Sequence, residues 1–438
     1  MSRDRIHVLF LNAGHFLDHL VTLVFATVAA LALTREWGMA YGDLVPYATP
    51  GFIAFGIFAL PAGWLADRWS RRGMMAVFFI GIGIASIVTG FSRSPLEIAC
   101  GLFVVGMFAA IYHPVGLALI VDEAKATGFG MAIASNGVWG NLGVGSAALI
   151  AGYFIDNGGW RLAFIVPGAV ACLLGIAYAA LFVVNRAPRI ATAAASVPAA
   201  AAAASAGGAT AFANPGSRSG ARVGALAHRE PEHHRRSLIV RLGAIVLFTT
   251  ALSGLIFQST TFALPKIFDE RLGVFAGSAS TVGWITFLVF AVASLAQLLV
   301  GRLIDQVGPR RVFVTAAIVQ ASAFALMPGL TGAAAVAAAI AFTFGAFGQI
   351  PINDYMIGRL ASPERRASIY GVRFVVTFVV LAAALPLVAT VHAAWGFDAL
   401  FRILACAALL VLAAAWALPR NLPENLDAAP DAAPAKPA

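Results

Sequence analysis

Twelve long apolar runs punctuate this chain, and they constrain its fold more than anything else in it. They cover residues 6–33, 45–62, 74–91, 96–121, 128–154 and 162–184, then 238–263, 279–300, 312–330, 332–357, 367–391 and 399–418. Each reaches or approaches the roughly 20 residues with which a helix rising about 1.5 Å per residue crosses about 30 Å of hydrocarbon. Charged residues make up 11 % of the chain and hydrophobic ones 60 %, whereas roughly a quarter of a soluble domain is charged. That supply does not cover a water-facing surface. Barrel strands, about ten residues long with strict alternation, do not match the run lengths. The expected fold is an all-α membrane protein with twelve transmembrane helices.

The first run starts behind Arg3 and Arg5 and continues without a small-residue cleavage site, which predicts an uncleaved first span. Cys100, Cys172 and Cys406 fall inside runs, at no metal-ligand spacing, and read as small apolar residues with no disulfide between them. Orientation follows from the basic residues between spans. With the N-terminus inside, the inner segments hold 22 of the 29 Lys and Arg and the outer segments six. This predicts a multi-pass protein of the cytoplasmic (inner) membrane with both termini cytoplasmic. The net charge of +9 then records topology, and no nucleic-acid partner is expected.

Residues 187–236 break the pattern, being rich in Ala, Gly and Ser with scattered arginines and prolines. With few large apolar side chains to bury, this segment reads as a disordered cytoplasmic linker, and its His228, His233 and His234 as a solvated patch. The remainder divides into residues 1–186 and 237–420, six spans each, followed by a disordered cytoplasmic tail, 421–438. The halves match internally: Gly63 and Gly301, and Asp67 and Asp305, are 238 apart, while Pro114 and Pro351, and Gly159 and Gly396, are 237 apart. Six spans is an even number, so both halves enter the membrane in the same direction, as a parallel repeat.

The matched stretches are GWLADRWSRR, from Gly63, and GRLIDQVGPRR, from Gly301. They carry a resemblance to the major facilitator superfamily of secondary transporters, whose loop signature G-x-L-x-D-R-x-G-R-R/K follows the second span. Gly63, Leu65, Asp67, Arg68, Arg71 and Arg72 fit it, with Ser70 in place of the second glycine. The second copy keeps Gly301, Leu303, Asp305, Gly308, Arg310 and Arg311, and departs at Gln306 and Pro309. Physically, a glycine lets a neighbouring helix approach, an aspartate suits a helix N-terminus, and the arginines suit acids such as Asp122 and Glu123. The resemblance implies that this cluster latches the two halves together in the outward-facing state. Tyr112, His113 and Pro114 further resemble the branch that includes fosmidomycin-resistance-like efflux proteins. The same branch shows a His-to-Asp pattern in span one, here His15 to Asp18, and a Gly-Asn-x-Gly in span five, here Gly140, Asn141 and Gly143.

An ionisable side chain at mid-bilayer costs about 2.5 to 3.5 kcal/mol on insertion scales, so each one asks for a reason. Asn12, His15, His19 and Thr22 form one helical stripe in the first span, with Asp18 at its edge. A buried carboxylate beside an imidazole suits proton binding and release, which makes Asp18, His15, His19 and His113 candidates for proton coupling. The same group also suits hydrogen bonding between helices. His15, Asp18 and His19 share a face at metal-ligand spacing, but no metal site is expected. Asn12, Tyr112, Asn136, Trp139, Asn141, Gln258, Gln349, Asn353 and Arg373 are the candidates for a substrate cavity. No ATP-binding loop, nucleophile–base arrangement or cofactor motif stands out, so the expectation is a non-enzymatic, cofactor-free carrier, monomeric in the lipid bilayer. Its leading reading is proton-coupled efflux of a small organic compound. Uptake of an organic anion is the alternative, and a non-transporting membrane sensor or assembly factor is a reading of another class.

Overall fold

A computed structural model describes residues 2–123, 129–184, 232–360 and 366–419. Its regular structure is helical throughout these segments. The first half contains α1 (Arg3–Val28), extended by a wider turn at Ala29–Leu33, then α2 (Thr49–Arg68), α3 (Arg71–Gly90), α4 (Pro95–Ala109), α5 (Tyr112–Glu123), α6 (Phe129–Asn157) and α7 (Leu162–Tyr178). The second contains α8 (Glu232–Arg271), α9 (Ala279–Val307), α10 (Pro309–Leu326), α11 (Gly332–Leu360) and α12 (Arg366–Trp416). Residues 232–236, assigned to the linker by composition, belong to the start of α8. The rest of that segment and the tail lie outside the described residues.

Helix starts follow their local chemistry. Ser70, Ser94 and Ser278 each turn a hydroxyl onto a first-turn N–H, of Gly73 (3.0 Å), Glu97 (3.3 Å) and Thr281 (3.1 Å) respectively, which satisfies a donor that lacks an intrahelical partner. Pro95 at the first position of α4 gives up no hydrogen bond.

Ten helical stretches among the described residues are long and apolar enough to cross a membrane. Two adjustments bring the count to twelve. α10 has only 18 residues and spends part of its first turn on Arg310 and Arg311, which lowers its mean hydropathy. α12 is two helices joined at Gly396, whose φ of 72° breaks the helical path. Gly159, 237 positions earlier, turns the corresponding corner of the first half with φ 92°. Both corners use the left-handed region that glycine enters without steric cost.

Packing repeats as well. α1 lies along α6, α2 along α4 and α3 along α7; in the second half α8 lies along α12, α9 along α11 and α10 along α12. The chain is thus a twelve-helix membrane fold built as two parallel six-helix repeats. Large apolar side chains such as Leu60, Val88, Leu173 and Leu295 face outward, as a surface in contact with lipid requires. The polar residues of α1 face inward: Asn12, His15 and Asp18 are buried.

The halves meet along α6 and α9. At the end away from the two charged turns, Asp156 of α6 accepts hydrogen bonds from the backbone N–H groups of Ala279 and Ser280 at the start of α9, at 3.2 and 2.7 Å. Arg35 faces Asp269 at the same end, 4.0 Å away.

Candidate functional site

Span four is broken. Pro114 carries no N–H and its ring crowds the carbonyl four residues back, and the helix accordingly stops at Ala109 and restarts at Tyr112. The break sends two neighbouring side chains to different partners. Tyr112 donates its hydroxyl proton to the Leu11 carbonyl at 2.8 Å, while His113 turns Nε2 to Asp18 Oδ2 at 3.3 Å. Both members of that pair are deeply buried, Asp18 at 1 % exposure and His113 at 3 %. One proton held between them leaves the pair neutral overall, which spares the bilayer interior a net charge.

His15 and His19 stand one turn apart on α1 with their Nε2 atoms 3.2 Å from each other. His15 donates from Nδ1 to the Asn136 carbonyl at 2.8 Å, and its ring stacks on Tyr112 at 4.9 Å between centroids. Gly140 makes this possible, because a Cβ there would lie 2.6 Å from the His15 ring.

These histidines line a cavity of about 150 Å³ between the halves. From the first half come His15, His19, His113 and Asn141, with Phe52 and Phe55; from the second come Ser253, Phe257, Gln258 and Asn353. The Asn141 Nδ2 and Gln258 Nε2 groups are buried there without a hydrogen-bond partner among the described residues, which leaves them as donors for a bound molecule. Of the expected coupling residues, then, the three histidines line the cavity and Asp18 stands behind His113.

The cavity expectations divide. Asn141, Gln258 and Asn353 line it. Asn12, Tyr112 and Asn136 do not: Asn136 donates to Asn12 Oδ1 at 3.0 Å and to the Tyr112 hydroxyl at 2.8 Å, forming a buried knot that ties α1, α5 and α6. Gln349 is also outside the lining, behind Ser253, from which it accepts at 2.5 Å while donating to Gln320 at 2.7 Å. Trp139 lies outside the lining, and the Arg373 side chain lies outside the described residues. Sequence reasoning missed Thr250, Ser253, Phe257 and Thr261 of α8, although their spacing of three to four marks one helical face.

In the first charged turn the arginines meet the acids expected of them, Asp122 and Glu123. Arg71 pairs with Asp67 at 2.8 Å and with Asp122 at 3.1 Å, and Arg72 with Glu123 at 3.3 Å. These pairs join α2, α3 and α5 within the first half, and Asp67 accepts from the side chain of Arg71, the first residue of α3. Glu123 also contacts His7 Nδ1 at 2.9 Å, and His7 Nε2 lies 2.9 Å from the Tyr178 hydroxyl. Arg68 lies apart, over the Trp64 ring at 4.4 Å. A Cβ at Gly63 would lie 3.3 Å from Pro114, so that glycine serves the approach of α2 to α5. In the second copy Arg310 donates to the Trp416 carbonyl at 2.9 Å, Gly301 is buried, and Asp305 and Arg311 are exposed with no ion pair among the described residues. Ser70 and Gly308, which correspond by position, solve the turn differently: Ser70 is extended and caps α3, while Gly308 has φ 87°.

Comparison with known proteins supplies the remaining observations. The family model described as Major Facilitator Superfamily matches residues 11–274 and 246–438. The Gallate transporter of Pseudomonas putida is 25 % identical over 290 residues, which is 66 % of this chain and 63 % of that protein. The puromycin resistance protein pur8 of Streptomyces alboniger is 32 % identical over 164 residues, 36 % of this chain and 32 % of its own. The chain thus spans less than two thirds of either relative. Among solved structures, a bacterial homolog to the human lysosomal transporter Spinster, inward-facing and unoccupied, superposes with a TM-score of 0.67 at 14 % identity, over 95 % of this chain and 96 % of that one.

Proposed function

Because this chain belongs to the major facilitator superfamily, we propose that it is a secondary transporter. It carries a small organic compound by alternating access, with the cavity between its halves as binding site and a proton as coupling ion. The observation that carries the reading is the make-up of that cavity: both halves line it, and the buried Asp18–His113 pair stands directly at its first-half wall. Rocking of the halves about a midplane site exposes such a cavity to one side at a time, and a neutralised pair crosses the cycle at lower cost than a bare carboxylate.

Phe52, Phe55 and Phe257 offer faces to a flat ring, and Asn141 and Gln258 offer unpaired donors, so the substrate read from the cavity is a small aromatic compound with polar substituents. The direction read from Tyr112–Pro114 and Gly140–Gly143 is efflux, near the fosmidomycin-resistance-like branch; the puromycin resistance relative supports it. Uptake of an organic acid is the second reading, supported by the Gallate transporter, whose alignment covers the larger share of the chain. Reconstitution in liposomes with an imposed pH gradient tests both. Puromycin moving against an inward proton gradient supports exchange, gallate accumulating with it supports uptake, and no pH-driven movement across a panel of aromatic acids and drugs refutes proton-coupled transport.

A further inference from the structure

Three imidazoles meet at one wall of the cavity, and the chain pattern alone places only two of them together. His15 and His19 share a face of α1, and the break before Pro114 brings His113 in from α5. Ring nitrogens of all three lie within 4.8 Å of one another, and those of His15 and His19 are 3.2 Å apart. Nitrogens bound at about 2.0–2.1 Å to a tetrahedral ion stand about 3.4 Å from each other. Two ligands are therefore already at coordination spacing, and the third lies within 4.8 Å of them.

The surroundings match those of metal-bound histidine, in which the ring nitrogen away from the ion faces a carbonyl or carboxylate that fixes the tautomer. His15 Nδ1 is committed to the Asn136 carbonyl, leaving Nε2 with its lone pair. His113 Nε2 faces Asp18, and its buried Nδ1 has no partner among the described residues. All three rings line the cavity, so a fourth coordination position opens onto it.

We propose that His15, His19 and His113 form a binding site for a divalent transition ion of the Zn²⁺ type, oriented by Asp18 and the Asn136 carbonyl. Imidazole donors suit zinc, copper and nickel over calcium or magnesium. An ion here occupies lone pairs that a coupling proton uses, so its bound form is an arrested carrier; that consequence, unlike the site itself, rests on the transport reading.

The test is isothermal titration of ZnCl₂ into the full-length chain in detergent, tag removed, with His228, His233 and His234 changed to alanine so that these three imidazoles do not contribute. One ion per chain is expected. His19→Gln and His113→Gln each abolish it, and Asp18→Asn weakens it about 10–100-fold as an orienting partner. Absorption of Co²⁺ bound to the otherwise unsubstituted chain should show a tetrahedral spectrum, with no dependence on how the histidine variants fold. Failure of that chain to bind Zn²⁺, or stoichiometric binding that survives His19→Gln with His113→Gln, overturns the site. Flux measured separately in EDTA-washed liposomes keeps the two readings distinct: its absence counts against transport and leaves the metal site standing.

Discussion

Asp18 reaches solvent with 1 % of its surface and has His113 as its charge partner. Asparagine matches its volume and removes the carboxylate. If the pair carries the coupling proton, Asp18→Asn reduces pH-driven flux to that of protein-free liposomes while exchange of substrate at equal pH continues; undiminished pH-driven flux removes Asp18 from coupling. Tyr112 plays a different part. Tyr112→Phe deletes the hydroxyl that Asn136 donates to, leaving a buried amide donor short of a partner, a loss of about 1–3 kcal/mol. A lower melting temperature with flux retained is expected, and unchanged melting would show the knot to be dispensable. The contrast also marks what one sequence reveals. A polar residue in an apolar run announces that it is buried and has a partner, but gives the same signal whether the partner is a ligand or another helix. Asn12, Tyr112 and Asn136 therefore read as cavity residues until the fold put the Asn136 amide within 3.0 Å of both other side chains. Asn141 and Gln258 carried the same signal and do line the cavity.

At the scale of elements, run length and the positions of Pro and Gly made the helices legible, because spanning hydrocarbon fixes a minimum length. Pro114 flagged the break in span four by the hydrogen bond it withholds. Two features escaped. The start of α8 at Glu232 lies in a polar stretch that composition assigns to the linker, although Glu and Arg are good helix formers. Nothing in the sequence around Asp156 reports that α9 of the other half begins beside it. Its carboxylate caps the N–H groups of Ala279 and Ser280, an interaction worth about 0.5–2 kcal/mol that links the halves at one end. Asp156→Ala should shift the conformational equilibrium about two- to thirtyfold toward the state open at that end, since about 1.4 kcal/mol is a factor of ten. Spin labels at Asn157 and Val274, in a chain with its three cysteines replaced, report the change as a longer distance population. An unaltered distribution would mean that the cap stabilises α9 without biasing the two states.

For the molecule as a whole, the repeat was the most legible feature, and the reason is geometric. Offsets of 237 and 238 residues tie together corners that the same chain path must turn twice, and Gly159 and Gly396 both turn theirs with positive φ. The acids facing Arg71 and Arg72 were legible, Asp122 and Glu123 among them, but not that the pairs close within one half, because a surface arginine chooses among nearby acids by less than about 1 kcal/mol. Arg71 finds Asp67 and Asp122 within its own half. A parallel repeat nevertheless fixes where the two turns lie. Each follows the second helix of a half that starts on the same side of the bilayer, so Arg68 and Arg310 must face the same compartment. The excess of Lys and Arg predicts that this compartment is the cytoplasm. Arg68→Cys and Arg310→Cys, made singly in a chain lacking Cys100, Cys172 and Cys406, should both resist a membrane-impermeant maleimide applied to intact cells and both react in inside-out vesicles. Labelling of both from outside would invert the topology and leave the repeat intact. Labelling of one from each side is incompatible with halves that run parallel, and with rocking between them about a shared cavity.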